Sequence, residues 1–348
     1  MTNISVRVSI DRRQWIRRHA QTLPFIGRIP MIQRYFRIGQ GPHDFMHRLL
    51  SEPNTGIEYR PWPLKGDVGL AVVRGPWKKG RSNEKSSVPI VVRLDGIGID
   101  QIGLTAVELK TQKLKMAETL QTADGIIFQS EFSKRAFEQV YGEISCDSVV
   151  IYNGVTRWTQ RIDEKEREKR LIVGGRNVPR KRIQETIRCF INSPFSRDYC
   201  LDVVGGIPKL DEFNHQSVSF LGKLAPITLL RRLSTATGLI HLDWYDWCPN
   251  LVLDAISVGT PVLCGSIGGT PELVAQSGII ADLEEPAPNF LDLQRDVPSI
   301  NQEPFNYYLD ALIQQSSQLY GQPRPDLSMT NVAARYKEFL LMVGLCSV

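Results

Sequence analysis

The chain has 348 residues, 42% hydrophobic and 23% charged, a composition ordinary for a globular protein long enough to form two α/β domains. This composition excludes a wholly disordered chain, and no apolar run approaches the roughly 20 residues that span a bilayer. The N-terminus has no apolar segment followed by a small-residue cleavage site, so we do not expect secretion.

The six cysteines are scattered, with no Cys-x-x-Cys pair and no histidine at the spacing of a zinc site. Cys189, Cys248 and Cys264 have apolar neighbours, which is typical of small buried thiols rather than of disulfides or metal ligands. The cysteines therefore predict a reducing compartment, and we expect a cytoplasmic protein.

The net charge of +5 is concentrated at the N-terminus, where residues 1–40 carry eight arginines and one acidic residue, Asp11. Trp15 and Phe25 are interleaved with these arginines, and a basic stretch with bulky apolar residues can lie on phosphates or on the inner face of an anionic membrane. A solvated arm that packs loosely on its own domain is the alternative. Nucleic acid is not expected as a partner, because the rest of the chain is nearly neutral.

After this arm, short β-branched runs alternate with amphipathic stretches. Ser130 precedes one such stretch in the position of a helix cap. In chain order, the first half predicts strands over 67–73 and 89–94, a helix over 104–121, a strand over 125–129, a helix over 131–141 and a strand over 149–152.

The same alternation begins again after residue 168. It predicts strands over 170–174, 200–204, 218–221, 239–242 and 261–264, and helices over 182–191, 226–235, 250–258 and from 272. Alternating strands and helices indicate parallel, doubly wound sheets. Two such series around a polar connector at 153–168 predict two domains that face a cleft, with ligands beyond the carboxyl ends of the strands.

Three loops of the second series carry residues suited to a nucleotide. The loop GGRNVPRK at 174–181 combines backbone N–H groups at a helix start with the charges of Arg176 and Lys181, which suits a diphosphate. Asp246 and Asp254 bracket the start of the helix predicted over 250–258, and paired carboxylates accept hydrogen bonds from sugar and ribose hydroxyls. The alternative is that Asp246 caps that helix and that Asp254 is a surface charge. The third loop, GGTPE at 268–272, again offers backbone donors.

The order and spacing of these loops resemble the retaining nucleotide-sugar glycosyltransferases of family four, which have the GT-B fold of two Rossmann-like domains. The resemblance covers about 124–280, and 331–343 resembles the family's closing helix, which crosses back to the N-terminal domain. It implies that Arg176 and Lys181 bind the diphosphate, that Asp246 contacts the donor sugar and that Asp254 holds the ribose. The family has glutamates where this chain has the two aspartates. Further donor contacts are expected from Gly175, Asn250, Gly268, Gly269 and Thr270.

The N-terminal half offers two further candidate residues. Gly41, in the run GQGP at 39–42, resembles the family's glycine-rich loop after its first strand. Asp95 stands where many members carry a histidine beside the donor sugar, so it is expected to bind a donor hydroxyl or to orient the acceptor. The alternative for Asp95 is a turn-forming Asp-Gly pair after a strand.

We therefore predict a basic arm over 1–38, an N-terminal domain over 39–155, a nucleotide-sugar domain over 156–325 and a crossing helix over 326–348. The expected activity is retaining sugar transfer from a nucleotide diphosphate donor to a saccharide or lipid-linked acceptor, as in polysaccharide biosynthesis. No metal cofactor is expected, because Arg176 and Lys181 would neutralise the leaving diphosphate. A nucleotide-sugar epimerase and a non-catalytic nucleotide-sugar-binding protein are the alternatives.

Overall fold

The computed structural model describes residues 6–10, 41–61, 67–72, 88–98, 105–156, 167–206, 211–291, 297–322 and 324–345. The chain divides into two compact units. The first consists of Met1–Gly154 with Asp326–Val348, and the second of Val155–Pro325. Within the described residues, each unit is built on a six-stranded parallel sheet. No helix of the described part of the chain is both long enough and apolar enough to cross a membrane.

The sheet of the first unit has the strand order β2-β1-β3-β4-β5-β6. Its strands are β1 (Val6–Ile10), β2 (Ile57–Pro61), β3 (Val68–Val72), β4 (Ile90–Arg93), β5 (Gly125–Phe128) and β6 (Asp147–Val150). The helices of this unit are α1 (Gly41–Ser51), α2 (Ala106–Thr122), α3 (Glu131–Tyr141) and, from the end of the chain, α9 (Met329–Leu345).

Strand β1 lies inside the stretch that the sequence assigned to a basic arm. It pairs with β2 and β3, where Val8 is opposite Tyr59 and Val68. Val8 is fully buried, whereas Arg7 next to it is exposed and ion-paired with Asp67. The prediction of an arm outside the domain is therefore wrong for these five residues, because apolar and polar residues alternate there as in a strand. Residues 11–40 lie outside the described residues.

The core of the first unit includes residues from both ends of the chain. Val8 from β1 and Phe45 from α1 belong to a buried cluster to which α9 contributes Met329, Val332, Ala333, Tyr336, Phe339, Leu340 and Val343. The chain thus returns to its first unit through α9, as the resemblance implied for 331–343. Helix α2 begins at a capping box, in which the Thr105 hydroxyl accepts a hydrogen bond from the Glu108 N–H.

The sheet of the second unit has the strand order β12-β11-β10-β7-β8-β9. Its strands are β7 (Glu168–Gly175), β8 (Cys200–Gly205), β9 (Val218–Gly222), β10 (Ala236–His241), β11 (Val262–Gly265) and β12 (Gly278–Ala281). Its helices are α4 (Ile183–Ile191), α5 (Pro226–Ser234), α6 (Asn250–Ser257), α7 (Thr270–Val274) and α8 (Gln302–Leu319). The chain runs outward from β7 to β9 and then returns to β10 on the other side of β7. The crevice between β7 and β10 is thus the switch point where such sheets bind ligands.

Gly278, at the start of β12, allows this edge strand to lie close to β11. A Cβ at Gly278 would overlap the carbonyl oxygen of Val262 and lie 2.8 Å from the carbonyl carbon. We expect Gly278→Ala to lower the free energy of unfolding by about 1–3 kcal/mol, because the backbone of β11 has to move. Gly265→Ala is the matched control, since its Cβ would meet the Glu285 carboxylate at an ordinary 3.5 Å. Thermal unfolding checks the pair, and equal melting temperatures would contradict the prediction.

Candidate functional site

The loop after β7 leaves the sheet through two glycines. A Cβ at Gly174 would lie 2.5 Å from the carbonyl oxygen of Val204 on β8, so only glycine allows these strand ends to approach. Gly175 has φ +145°, in the region that favours glycine. Arg176 follows with an exposed side chain. The two glycines therefore add no side chain of their own at the carboxyl end of β7, and the exposed cation of Arg176 follows them directly.

Lys181 lies at the end of a short 3₁₀ turn, Pro179–Lys181, directly before α4. Its side chain is only 9% exposed, and its ammonium contacts the carboxylates of both Asp243 and Asp246. Burial opposes the charge on this ammonium, but the two carboxylates outweigh burial and raise its pKa. Lys181 is therefore a charged ammonium at neutral pH, held by two anions.

Two buried arginines beside Lys181 join the β7 loop to the segment after β10. Arg180 Nη1 donates to the Tyr245 carbonyl at 2.7 Å, and the Trp244 N–H donates to the Arg180 carbonyl at 2.8 Å. Arg182, which has φ +44°, donates from Nε to the Leu242 carbonyl at 2.8 Å. The position of Lys181 is thus fixed on both sides by hydrogen bonds to the neighbouring loop.

Asp246 faces this loop. Its Oδ1 accepts the Trp247 N–H at 2.6 Å, and its Oδ2 contacts the Lys181 ammonium. Burial alone would raise the pKa of Asp246, but the charges of Lys181 and then Arg180 hold it far below the usual range. The residue at the cap position of α6 is Pro249 rather than Asp246. The interpretation of Asp246 as a helix cap is therefore wrong, and this carboxylate is ionised and ion-paired.

The third predicted loop lies against the backbone of Asp246. Gly268 has φ +101°, and a Cβ there would be 3.0 Å from the Asp246 amide nitrogen. The Gly269 N–H donates to the Asp246 carbonyl at 2.7 Å, and the buried Thr270 begins α7. The β10 and β11 loops are thus joined at Asp246.

The structure brings the predicted residues of the second unit to the carboxyl ends of three adjacent strands. Asn250 and Asp254 lie on the first turns of α6 with half-buried side chains. After β7 come Gly175, Arg176 and Lys181, after β10 come Asp246, Asn250 and Asp254, and after β11 come Gly268, Gly269 and Thr270.

Of the two predicted residues of the first unit, Asp95 belongs to a buried polar network. The side chain of Asp95, in the turn after β4, is 7% exposed and contacts the fully buried guanidinium of Arg93. Burial raises the pKa of Asp95 although Arg93 opposes this shift. Arg93 also donates to Asn153 Oδ1 at 2.5 Å, and its guanidinium carbon lies 4.2 Å from the centroid of the Phe45 ring. Gly41 begins α1, which carries Phe45.

No protein-family model matches the chain, and no curated protein matches it in sequence. Solved structures match it in fold. AviGT4, a glycosyltransferase involved in Avilamycin A biosynthesis, has a TM-score of 0.58 and 14% identity over 98% of each chain. Anabaena Alr3699/HepE in complex with UDP and glucose has a TM-score of 0.55 and 12% identity, again over 98% of each chain. A chain of the GtfA/B complex matches 79% of this chain with a TM-score of 0.56 at 14% identity, and 57% of that longer chain is covered.

The chain has the GT-B fold. At these identities the likeness concerns the fold, so the chemistry has to be argued from the residues of the site. The GT-B fold accounts for the two Rossmann-like sheets and for the return of α9 to the first unit.

Two further residues of the second unit lie beside this site: His241, which the sequence suggested as a strand-end packing residue, and Asp243, which sequence reasoning missed. Among the described residues, the ligand atoms of His241, Asp243 and Asp246 lie within 4.8 Å of one another. A metal ion there would compete with the Lys181 ammonium, which already contacts both carboxylates. Burial lowers the pKa of His241. The signal in the sequence was the spacing of Asp243 three residues before Asp246 at the end of a buried strand.

The aromatic residues around Asp246 are part of the core. Trp244, Tyr245 and Trp247 are each at most 4% exposed, and the Phe290 ring lies 5.3 Å from that of Tyr245 and 5.4 Å from that of Trp247, centroid to centroid. These contacts favour a role in filling the domain over packing against a sugar or a base. They support the backbone on which Asp246 stands.

Proposed function

We propose that this protein is a glycosyltransferase that takes a sugar from a nucleotide diphosphate donor and transfers it to a saccharide or lipid-linked acceptor. The observation that carries the proposal is the buried, charged ammonium of Lys181 at the switch point of the second sheet. A cation buried between carboxylates at this place suits an anionic ligand that can exchange with one of them.

In this proposal the β7 loop binds the diphosphate. Lys181 and Arg176 supply full charges, while Gly175 and the first residues of α4 supply backbone N–H groups close to the phosphates. As the bond between sugar and phosphate breaks, negative charge develops on the diphosphate. Cations already in place stabilise that charge without reorganising, which is why no metal cofactor is proposed.

Carboxylates hold the rest of the donor. The pKa of Asp246 is low, so it is ionised and can accept hydrogen bonds from sugar hydroxyls. We assign Asp254 and Asn250 on α6 to the nucleotide ribose. We also propose that the donor contacts the backbone of Gly268, Gly269 and Thr270. Asp95 of the first unit is assigned to a donor hydroxyl or to the acceptor, with Gly41 on the same unit as a donor contact. Retention of anomeric configuration is part of the proposal and rests on the family resemblance.

The first test is a thermal-shift panel of UDP, GDP, ADP and dTDP and their glucose conjugates, with and without EDTA. HepE is known in complex with UDP and glucose, so UDP and UDP-glucose are the first ligands to try. One nucleotide series is expected to stabilise the protein, by about 2.7 kcal/mol at 100 times its dissociation constant. We expect EDTA to leave the shift unchanged.

Any other result of the thermal-shift panel would contradict a particular part of the proposal. A shift that EDTA abolishes would overturn the metal-free mechanism. No shift with any nucleotide would overturn the donor site itself. Once a donor is found, product analysis separates the remaining alternatives. Transfer to an acceptor supports the glycosyltransferase, inversion of the sugar within the donor indicates an epimerase, and binding without turnover indicates a binding protein.

A further inference from the structure

Asp243 occupies a place in the donor site that the proposed donor contacts leave unexplained. Its side chain is 3% exposed, and its carboxylate contacts the Lys181 ammonium. On its other side, His241 Nε2 lies 3.3 Å from Asp243 Oδ2, and the His241 side chain is 2% exposed. Asp243 is therefore enclosed between a buried lysine and a buried imidazole, with little of it left for a ligand to touch.

In this arrangement the diphosphate of the donor and the two carboxylates compete for the Lys181 ammonium. One ammonium serves two carboxylates, and a diphosphate that binds Lys181 has to replace or share at least one of them. Asp246, 13% exposed, is the more accessible carboxylate and the one assigned to the sugar. Asp243 is the more deeply buried carboxylate, so it is the one that stays with the lysine.

We propose that Asp243 is a positioning residue of the donor site, which holds the Lys181 ammonium in place and whose negative charge opposes the binding of the donor's diphosphate there. The inference rests on the proposed function, because it takes a nucleoside diphosphate as the ligand. It assigns Asp243 no contact with the donor. Its effect is transmitted through the charge and the position of Lys181.

Two opposite consequences follow for Asp243→Asn, which removes a charge at nearly constant shape. Near neutral pH the variant loses a negative charge close to the diphosphate, so nucleoside diphosphates should bind about tenfold more tightly. At alkaline pH Lys181 is buried with Asp246 as its remaining carboxylate, while Arg180 opposes its charge. The neutral His241 does not compensate, so the variant's lysine loses its proton at a lower pH than the wild-type lysine does.

The ratio of the two dissociation constants, variant to wild type, is therefore expected to rise with pH. It should be about 0.1 at pH ~7 and rise at alkaline pH as the variant's lysine loses its proton before the wild-type lysine does. Calorimetric titration of whichever nucleoside diphosphate the panel selects, at several pH values, measures this ratio. Ionisation of the nucleotide is common to both proteins and cancels. Asp243→Ser, which also removes the carboxylate, serves if the Asn variant does not fold.

Asp202→Asn is the matched control. Asp202 is also fully buried in the second unit, where it accepts hydrogen bonds from Arg170 Nη1 at 2.8 Å and from Arg232 Nε at 2.7 Å. This control should lower the melting temperature and leave the binding ratio near 1 at every pH. A change that only damages the fold would behave in the same way.

The outcomes separate the inference from the proposed function. If the wild-type protein binds none of the nucleoside diphosphates, the proposed function fails and the inference fails with it. If the wild type binds one of them and the ratio for Asp243→Asn does not change with pH, the donor site stands and the inference is overturned. A ratio above 1 throughout the pH range also overturns it, because Asn keeps the shape of the side chain and removes only the charge that opposes the diphosphate near neutral pH.

Discussion

Lys181→Ala is expected to slow sugar transfer by about 10²–10³-fold, the size found when one preorganised donor to a developing oxyanion is removed. The ammonium is buried and charged before the reaction begins, so no solvent has to reorganise around it as charge develops on the diphosphate. The loss should be larger in kcat than in the affinity for the donor, because the interaction strengthens as the bond breaks. Steady-state kinetics with the donor that the nucleotide panel selects measure both constants.

The variant also leaves Asp243 and Asp246 facing each other without their cation, which costs stability. Circular dichroism has to show the native fold before the rates are compared. Lys169→Ala is the matched control, since Lys169 is an exposed residue at the opposite end of β7. It removes the same charge from the same unit and should leave the rate within about twofold. Full activity in Lys181→Ala would remove this residue from the site and end the proposed role of the β7 loop.

The loops of the second unit could be predicted from sequence because their chemistry is local. Short buried strands followed by glycines and charges mark the carboxyl edge of a parallel sheet, and parallel strands bring those ends together. The pattern did not show which cation of the β7 loop is buried. Arg176 is exposed and Lys181 is buried, because Arg180 and Arg182 hydrogen-bond to carbonyls of a segment about 60 residues away.

The elements and residues that the sequence did not predict depend on partners that are distant in the chain. In β1, a strand pattern lies within an arginine-rich stretch, and its burial depends on partners at 57–61 and 67–72. Strand β12 was not predicted either, because Gly278–Ala281 is short and is fixed as a strand by its pairing with β11. Helix α8 was also not predicted. His241 has the spacing of a core residue, and its proximity to Asp243 depends on how the chain turns after β10.

Arg93→Met is expected to have the largest effect on stability, lowering the free energy of unfolding of the first unit by about 3–5 kcal/mol. The guanidinium is fully buried, and its removal leaves the Asp95 carboxylate in a buried place without its cation. Asn153 Oδ1 also loses the donor that lies 2.5 Å away. Urea denaturation of the variant and the wild type gives the difference.

The pH dependence of this loss distinguishes an unpaired carboxylate from lost packing. Burial already raises the pKa of Asp95, and without Arg93 it rises further above the value in the unfolded chain. A group whose folded-state pKa is raised binds its proton more tightly in the folded state, so lowering the pH favours folding. The deficit of Arg93→Met relative to wild type should therefore shrink as the pH falls from about 7 to about 5.

Arg7→Met is the matched control, because it removes an arginine of the same sheet whose ion pair with Asp67 is exposed at 50% and 38%. Solvent screens that pair, so its loss should change stability far less. Adding Asp95→Asn to Arg93→Met removes the unpaired carboxylate and should abolish the pH dependence while recovering part of the stability. If Arg93→Met and Arg7→Met are equally stable, or if the deficit of Arg93→Met is constant with pH, Asp95 does not depend on Arg93 for its charge. The network would then be ordinary core packing, in which Arg93 does not set the charge of Asp95.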